Sequence, residues 1–226
     1  MPFFYPTRRE GDQVEILGND ARHLAGPLRA RVGERIAVVD PAGELLRVEL
    51  RSVSERAVAG VVVHAQPYDP EPKLQVTLAA AMLPASALEL VLSRCTELGA
   101  AAFLLVSAER SVARGAKLER WSSICREAAM LAGRLRVPEV RGPVPFLELL
   151  SDPGVLVFDP EGARKLSDSP LPGDAVTLAI GPEGGWSAGE KEAAGDRLVS
   201  LGPRTLRADT AAVAALTAAL LRGGEL

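Results

Sequence analysis

The spacing of apolar and polar positions changes once along the chain, near residue 70. Before that point the apolar residues occur in short segments separated by turn residues such as Asp40-Pro41-Ala42-Gly43. A brief helix is predicted after Asn19 or Asp20. Several strands with little helix in this length favour a small β-barrel. The predicted strands are Val14 to Leu17, Arg35 to Val39, Leu45 to Val53 and Ala57 to His64.

The segment Asp69-Pro70-Glu71-Pro72 marks a predicted domain boundary, because prolines restrict both themselves and the residues before them. We expect one domain at residues 1–70 and a second at residues 73–226. In the second, strand patterns alternate with helical patterns, which predicts an α/β domain with helices flanking a parallel sheet. The predicted strands are Leu74 to Met82, Ala102 to Val106, Val137 to Val140 and Val155 to Phe158, with helices that end at Gly99 and Gly133.

Two glycine-rich loops follow apolar strands near the end of the chain. The strand Val176 to Ile180 stops at Gly181-Pro182-Glu183-Gly184-Gly185, and the strand Leu198 to Leu201 stops at Gly202 to Arg207. If the strands are parallel, both loops lie at the carboxyl edge of one sheet, where open α/β folds bind small molecules. The sequence therefore predicts an active site there, although ordinary turns would give a similar pattern.

Helices are predicted after both loops. Ser187 and Glu190 have the spacing of a capping box, so a helix should begin there and run to about Gly195. A final alanine-rich helix should run from about Thr210 to Arg222.

Composition favours a globular protein that stays in the cytoplasm. Of the 226 residues, 47% are hydrophobic and 24% are charged. Cys95 and Cys125 lack metal or redox spacing, so they are expected to be reduced core thiols. We expect no secretory leader and no membrane span.

Charge and motifs exclude several functions. A net charge of −3 argues against a protein that coats nucleic acid with its whole surface, although a local basic face is compatible with it. His23 and His64 are isolated, so no metal site is expected. The chain also lacks the G-x-S-x-G elbow and both glycine-rich nucleotide motifs. The candidate site that remains is a pocket at the two glycine-rich loops, lined by glycine backbone and apolar side chains.

The segments GPEGGWSAGE and SLGPRTLRADTAA resemble the paired C-terminal motifs of the RsmE family. Members of that family are SPOUT-class methyltransferases that use S-adenosylmethionine to make N3-methyluridine in 16S ribosomal RNA. The resemblance implies a trefoil knot in the C-terminal domain. Arg22 to Ile36 is similar to a stretch of the family's N-terminal domain, which implies a PUA-like β-barrel that binds RNA. Weaker similarity occurs at Arg94 to Gly99, Glu109 to Ser111 and Gly133 to Glu139.

The resemblance also implies residue roles and partners. Arg207 would stabilise a uracil anion, and Asp209, or Glu183 behind it, would accept the proton; Asp209 could equally be a first-turn acid of the last helix. Expected partners are 16S rRNA or the small ribosomal subunit, and a second copy of the chain through the C-terminal domain. The expected cofactor contacts are Phe158, Ile180, Gly181, Pro182, Glu183, Gly184, Gly185, Ser200, Leu201, Gly202 and Leu206. The expected RNA contacts are Arg22, Arg29, Arg31, Arg94, Arg110 and Arg134, with Arg35 beside the first three.

Some positions depart from the family pattern. Pro84-Ala85-Ser86-Ala87 replaces a basic stretch, and Arg207-Ala208-Asp209-Thr210 replaces R-x-E-T. The glycine loops are intact. Two functions are therefore weighed: a working rRNA methyltransferase, which is favoured, and a noncatalytic RNA-binding or ribosome-assembly protein that keeps the fold.

Overall fold

Two β-sheets contain the strands of the computed structural model, which describes residues 2–111, 115, 117–168, 171 and 173–226. The chain divides into two units. Met1–Glu71 together with Ala129–Arg136 form the first, and Pro72–Ala128 together with Val137–Leu226 form the second. The predicted second domain, residues 73–226, includes residues 129–136, whereas the structure groups these with the first unit.

The first unit is an antiparallel five-stranded sheet of order β1-β2-β5-β4-β3. Inward-facing residues such as Val14 and Ile16 are buried while their neighbours are more exposed, as expected for a sheet with one covered face. Strand β1 was missed because all its residues are polar. The elements are β1 (Arg8–Glu10), β2 (Gln13–Leu17), α1 (Gly18–Ala25), β3 (Arg35–Asp40), β4 (Glu44–Val53) and β5 (Ala57–Pro67).

The N-terminal segment is hydrogen-bonded to both edges of this sheet. Phe4 N donates to Ala37 O at 3.0 Å and Phe4 O accepts from Val39 N at 2.8 Å, beside β3. A few residues later the chain forms β1, which pairs with β2 at the opposite edge. The segment therefore connects the two edge strands.

A buried ion pair joins residues 129–136 to the rest of the first unit. The Arg134 guanidinium lies 2.5 Å from a Glu71 carboxylate oxygen, and the two side chains are only 6% and 9% exposed. The same carboxylate accepts the backbone N–H groups of Leu135 at 2.8 Å and Arg136 at 3.2 Å. Tyr68 adds a hydrogen bond from its hydroxyl to Gly133 O at 2.7 Å. Glu71 is therefore the shared acceptor that holds this segment in place.

The second unit contains a seven-stranded sheet of order β10-β12-β9-β11-β6-β7-β8, with every pairing parallel. The predicted α/β sheet is thus confirmed. Its strands are β6 (Gln75–Ala81), β7 (Ala102–Ser107), β8 (Glu139–Pro145), β9 (Val155–Phe158), β10 (Arg164–Lys165), β11 (Ala175–Ile180) and β12 (Leu198–Ser200). Its helices are α2 (Ala85–Leu98), α4 (Phe146–Leu149), α5 (Ala188–Ala194) and α6 (Ala208–Gly223), together with α3 (Leu118–Ala132) as far as Ala128.

Both faces of this sheet are covered. Along β11, Leu178 and Ile180 join a core that includes residues of α2, α3 and α6, while Ala179 faces a second core with Phe146 of α4 and Ala194 of α5. Burial on both faces explains why β11 reads as an uninterrupted apolar run.

Several element boundaries differ from the predictions. β8 lies at Glu139–Pro145, later than predicted, since it is an edge strand with mostly polar or small residues and a weak apolar signal. α6 begins at Ala208, two residues early, because Arg207 takes the capping position. Among the described helices, none is long and apolar enough to cross a bilayer.

Both cysteines are buried thiols in the second unit, as predicted. Burial, with a smaller contribution from the neighbouring Cys125, raises the pKa of the Cys95 thiol to about 12. Cys95 therefore stays protonated and unreactive at neutral pH.

We expect Glu71→Ala to lower the free energy of unfolding by about 3–5 kcal/mol, because it leaves the buried guanidinium and two N–H groups without their shared acceptor. Urea denaturation followed by circular dichroism measures this. Arg120→Ala is the matched control, since its ion pair with Glu89 is exposed and should contribute little. Equal losses in the two variants would contradict the role assigned to Glu71.

Candidate active site

Three neighbouring parallel strands bring three loops to one edge of the second sheet. β9 pairs with β11 on one side and with β12 on the other, so their carboxyl ends lie side by side. The residues that follow these strands enclose a cavity of about 450 Å³. It is lined by Phe158, Asp159, Pro160, Ile180, Gly181, Pro182, Glu183, Gly185, Trp186, Leu201, Gly202, Arg204, Thr205, Leu206, Arg207, Ala208 and Ala211.

Trp186 fixes the base of the first glycine loop. Its indole is buried, packs against Phe146 at an interplanar angle of 44° with ring centroids 4.6 Å apart, and donates from Nε1 to Phe158 O at 3.0 Å. A Cβ atom at Gly181 would lie 3.1 Å from ring atoms of Trp186. Glycine is needed at 181 because the backbone there passes directly over the indole.

The predicted capping box is confirmed, and it holds a further loop. Ser187 Oγ accepts from Glu190 N at 3.2 Å, and a Glu190 carboxylate oxygen accepts from Ser187 N at 2.8 Å. The other Glu190 oxygen accepts from Glu109 N at 2.9 Å. Arg110 donates to Gly184 O at 3.1 Å, so the segment after β7 contacts both the glycine loop and the start of α5.

The second glycine loop leads into α6. Gly202 has a φ of +112°, a conformation that disfavours other residues, and a Cβ there would meet no atom within 4 Å. Arg207 caps α6 through its backbone and presents an exposed side chain among the residues lining the cavity. Asp209 lies in the first turn of α6 and is not one of the lining residues. Its position matches the structural alternative predicted for it.

A buried acidic residue, Asp159, is among the residues that line the cavity. Asp159 follows β9, and its side chain is 3% exposed. It accepts from Glu161 N at 2.9 Å and lies 3.2 Å from Lys191 Nζ, which is also 2.8 Å from the Glu161 carboxylate. The hydrogen bond to Glu161, with a smaller one to Asp159, raises the pKa of Lys191 and keeps it protonated.

Most residues predicted to contact the cofactor lie together in this cavity. Gly184 and Ser200 are the exceptions: Gly184 packs against Arg110, and Ser200 is buried with its hydroxyl 3.5 Å from Arg164 O. Asp159, Pro160, Trp186, Ala208 and Ala211 also line the cavity and were not predicted, whereas Arg204 and Thr205 lie in the predicted loop Gly202 to Arg207. Asp159 and Pro160 could have been found from their position directly after the strand of Phe158, and Trp186 from its place directly after the glycine loop.

The arginines predicted to contact RNA lie in different surroundings. Arg22, Arg29, Arg31 and Arg35 are exposed in the first unit, and Arg94 and Arg110 are exposed in the second. Arg94 pairs with Glu97 at 3.0 Å. The prediction for Arg134 is corrected, because its guanidinium is buried against Glu71 and stabilises the fold instead of facing solvent.

The cavity suits a nucleoside with a short aliphatic chain. Its volume lies within the roughly 300–1,000 Å³ of small-molecule sites. Ile180, Leu201 and Leu206 supply apolar walls, while the glycines expose backbone groups for hydrogen bonding. Within the described ranges, no group of His, Cys, Asp or Glu side chains is arranged to hold a metal ion.

Comparison with known proteins gives consistent matches over nearly the whole chain. Residues 70–220 match the family model of an RNA methyltransferase domain. The ribosomal RNA small subunit methyltransferase E of Bacillus subtilis is 31% identical, with 96% of this chain and 94% of that protein aligned. The protein of the same name from Synechocystis is 35% identical over 90% of this chain and 71% of its own length.

Solved structures of methyltransferases are also similar to this chain over nearly its whole length. The crystal structure of a ribosomal RNA small subunit methyltransferase E from Neisseria gonorrhoeae bound to S-adenosyl methionine superposes with a TM-score of 0.89, at 31% identity and 98% coverage of both chains. A Legionella pneumophila protein, described as a methyltransferase in complex with SAM, gives a TM-score of 0.89 at 26% identity and 97% coverage of both chains. The resemblance seen in the sequence is therefore confirmed, and the chain belongs to the RsmE family of ribosomal RNA small subunit methyltransferases.

Proposed function

We propose that this chain transfers a methyl group from S-adenosylmethionine to N3 of a uridine in 16S ribosomal RNA. The observation that carries this proposal is the cavity formed by the two glycine loops, in a chain that matches a methyltransferase bound to S-adenosyl methionine over 98% of its length. Such a substrate places the reaction in the cytoplasm, on free rRNA or on the small ribosomal subunit.

The cavity residues would bind and orient the cofactor. Ile180, Leu201 and Leu206 would enclose the adenine, and backbone groups of the glycine loops would hydrogen-bond its edge. The cofactor itself supplies a methyl group already activated by a positively charged sulfur. The protein must therefore supply alignment of the uracil and removal of its N3 proton.

Arg207 and Glu183 are the residues best placed for the chemistry of the uracil. Both line the cavity and both are exposed, so an entering base can reach them. The Arg207 guanidinium would stabilise negative charge on the uracil carbonyl oxygens. We favour Glu183 over Asp209 as proton acceptor, because Asp209 is not among the lining residues and its carboxylate accepts from Thr210 N at 2.7 Å.

RNA binding is proposed for the first unit and for the rim of the second. Arg22, Arg29 and Arg31 are exposed and close in sequence, which supports a basic contact surface on a PUA-like unit. We also propose that the second unit carries the trefoil knot that its SPOUT resemblance implies. A crystal structure whose chain trace contains no knot would contradict this proposal.

Methylation of 16S rRNA in vitro, mapped by mass spectrometry of nuclease fragments, tests the function. We expect one added methyl group at N3 of a uridine, made by the wild type and lost in Gly202→Val, since valine there strains the backbone and fills cavity space. Gly189→Val is the matched control, because a Cβ at Gly189 is also unobstructed but lies on α5 outside the set of lining residues. A wild type that binds 16S rRNA but gives no methylated product would favour the noncatalytic RNA-binding alternative, and methylated cytidine or adenosine would reject the assigned reaction.

Arg207→Ala should lower single-turnover methylation by about 10²–10³-fold, equivalent to about 3–4 kcal/mol of transition-state stabilisation, with little change in cofactor affinity. Arg207→Lys should restore part of the rate, since lysine has the charge but not the planar fork. Arg120→Ala, which changes an exposed arginine that is not a lining residue, should react at the wild-type rate. If Arg207→Ala instead lowers the melting temperature and cofactor affinity together, Arg207 acts only in holding α6.

We propose that the chain is a homodimer through α6. The helix buries Ala212, Ala215 and Leu216 in its own unit, while the neighbouring face with Ala214, Ala218 and Leu221 remains partly or fully exposed. Small side chains on that face allow a second helix to approach closely.

Light scattering at micromolar concentration should give the mass of a dimer for the wild type and of a monomer for Leu221→Glu. Leu147→Glu is the control, because Leu147 is similarly exposed but belongs to α4 on the other face of the sheet. A monomeric wild type, or a dimeric Leu221→Glu variant, would contradict this interface.

A further inference from the structure

Asp159 differs from the other charged residues that line the cavity. Glu183, Arg204 and Arg207 are exposed, so water screens their charges. The Asp159 side chain is 3% exposed, and burial leaves its charge far less screened. Asp159 is therefore the lining residue whose charge should act most strongly on a bound molecule.

The partners of Asp159 hold its carboxylate in place without removing its negative field. Glu161 N donates to one oxygen at 2.9 Å, and Lys191 Nζ lies 3.2 Å from the other. Lys191 is shared with the Glu161 carboxylate at 2.8 Å, so one ammonium faces two carboxylates. Neither Lys191 nor Glu161 is a lining residue, so Asp159 is the member of this group that lines the cavity.

The cofactor before and after methyl transfer differs in charge at one atom, the sulfur. Transfer breaks the bond between sulfur and the methyl carbon, leaves the electron pair on sulfur, and forms the bond to N3 as that nitrogen loses its proton. The sulfonium cofactor thereby becomes a neutral thioether, S-adenosylhomocysteine. A buried negative charge nearby favours binding of the sulfonium cofactor over binding of the thioether product.

We infer that Asp159 is a specificity-determining residue that makes the cavity bind the sulfonium cofactor in preference to its thioether product. The inference rests on the proposed function, because it requires the cavity to be the cofactor site. Asp159 would then act beyond packing, because its charge attracts the sulfonium of the methyl donor and gives no such attraction to the neutral sulfur of the product.

Isothermal titration of the purified protein with S-adenosylmethionine and with S-adenosylhomocysteine tests the inference. In Asp159→Asn, which keeps the shape and loses the charge, we expect the ratio of product Kd to cofactor Kd to fall by about tenfold, equivalent to about 1.4 kcal/mol. Glu161→Gln is the matched control. It removes the other carboxylate that pairs with Lys191. Because Glu161 is 81% exposed and is not a lining residue, the ratio should stay within about twofold of the wild type.

Lys191→Gln provides an independent variant, since loss of the ammonium should strengthen the field of Asp159 and raise the preference for the sulfonium form. Should thermal melting show that Asp159→Asn does not fold, this second variant decides. The inference is overturned if Asp159→Asn weakens both ligands equally or neither, or if Lys191→Gln lowers or leaves unchanged the preference. A wild-type protein that binds neither ligand would instead overturn the proposed function.

Discussion

Parallel pairing of β12, β9 and β11 is the constraint on which the candidate site depends. The strands are separated along the chain by helices and loops, yet pairing places their carboxyl ends together. Each strand end contributes something different: a buried carboxylate at Asp159, a glycine loop over the indole of Trp186, and a second glycine loop that leads to Arg207. A shift in either pairing would separate these groups and dismantle the cavity.

The candidate site combines a well-packed floor with exposed charged side chains. Trp186 is held by Phe146 on one side and by the carbonyl of Phe158 on another, and the capping carboxylate of Glu190 fixes the chain immediately after it. Arg207 and Glu183 are exposed at the cavity. In the proposed reaction, preformed backbone would bind the cofactor, and the base to be methylated would meet the exposed side chains.

Local patterns predicted what depends on neighbours in sequence. The glycine loops, the Ser187–Glu190 capping box and the apolar run of β11 all have signals within a few residues, and the structure places them as expected. Contacts between distant segments had no such signal. The burial of Arg134 depends on Glu71, 63 positions earlier, so a residue that read as a surface cation proved to be internal. The role of Trp186 depends on strand order, which apolar spacing does not encode.

The pairing of Glu71 with Arg134 also affects how the protein can fold during synthesis. The carbonyls of Gly133 and Arg134, to which Tyr68 and Tyr5 donate, leave the ribosome long after the five strands of the first sheet. A fragment that ends at residue 72 would contain every strand of that sheet but none of these partners. The first unit is therefore continuous in space but not in sequence, and it reaches its final structure only after much of the methyltransferase unit has been translated.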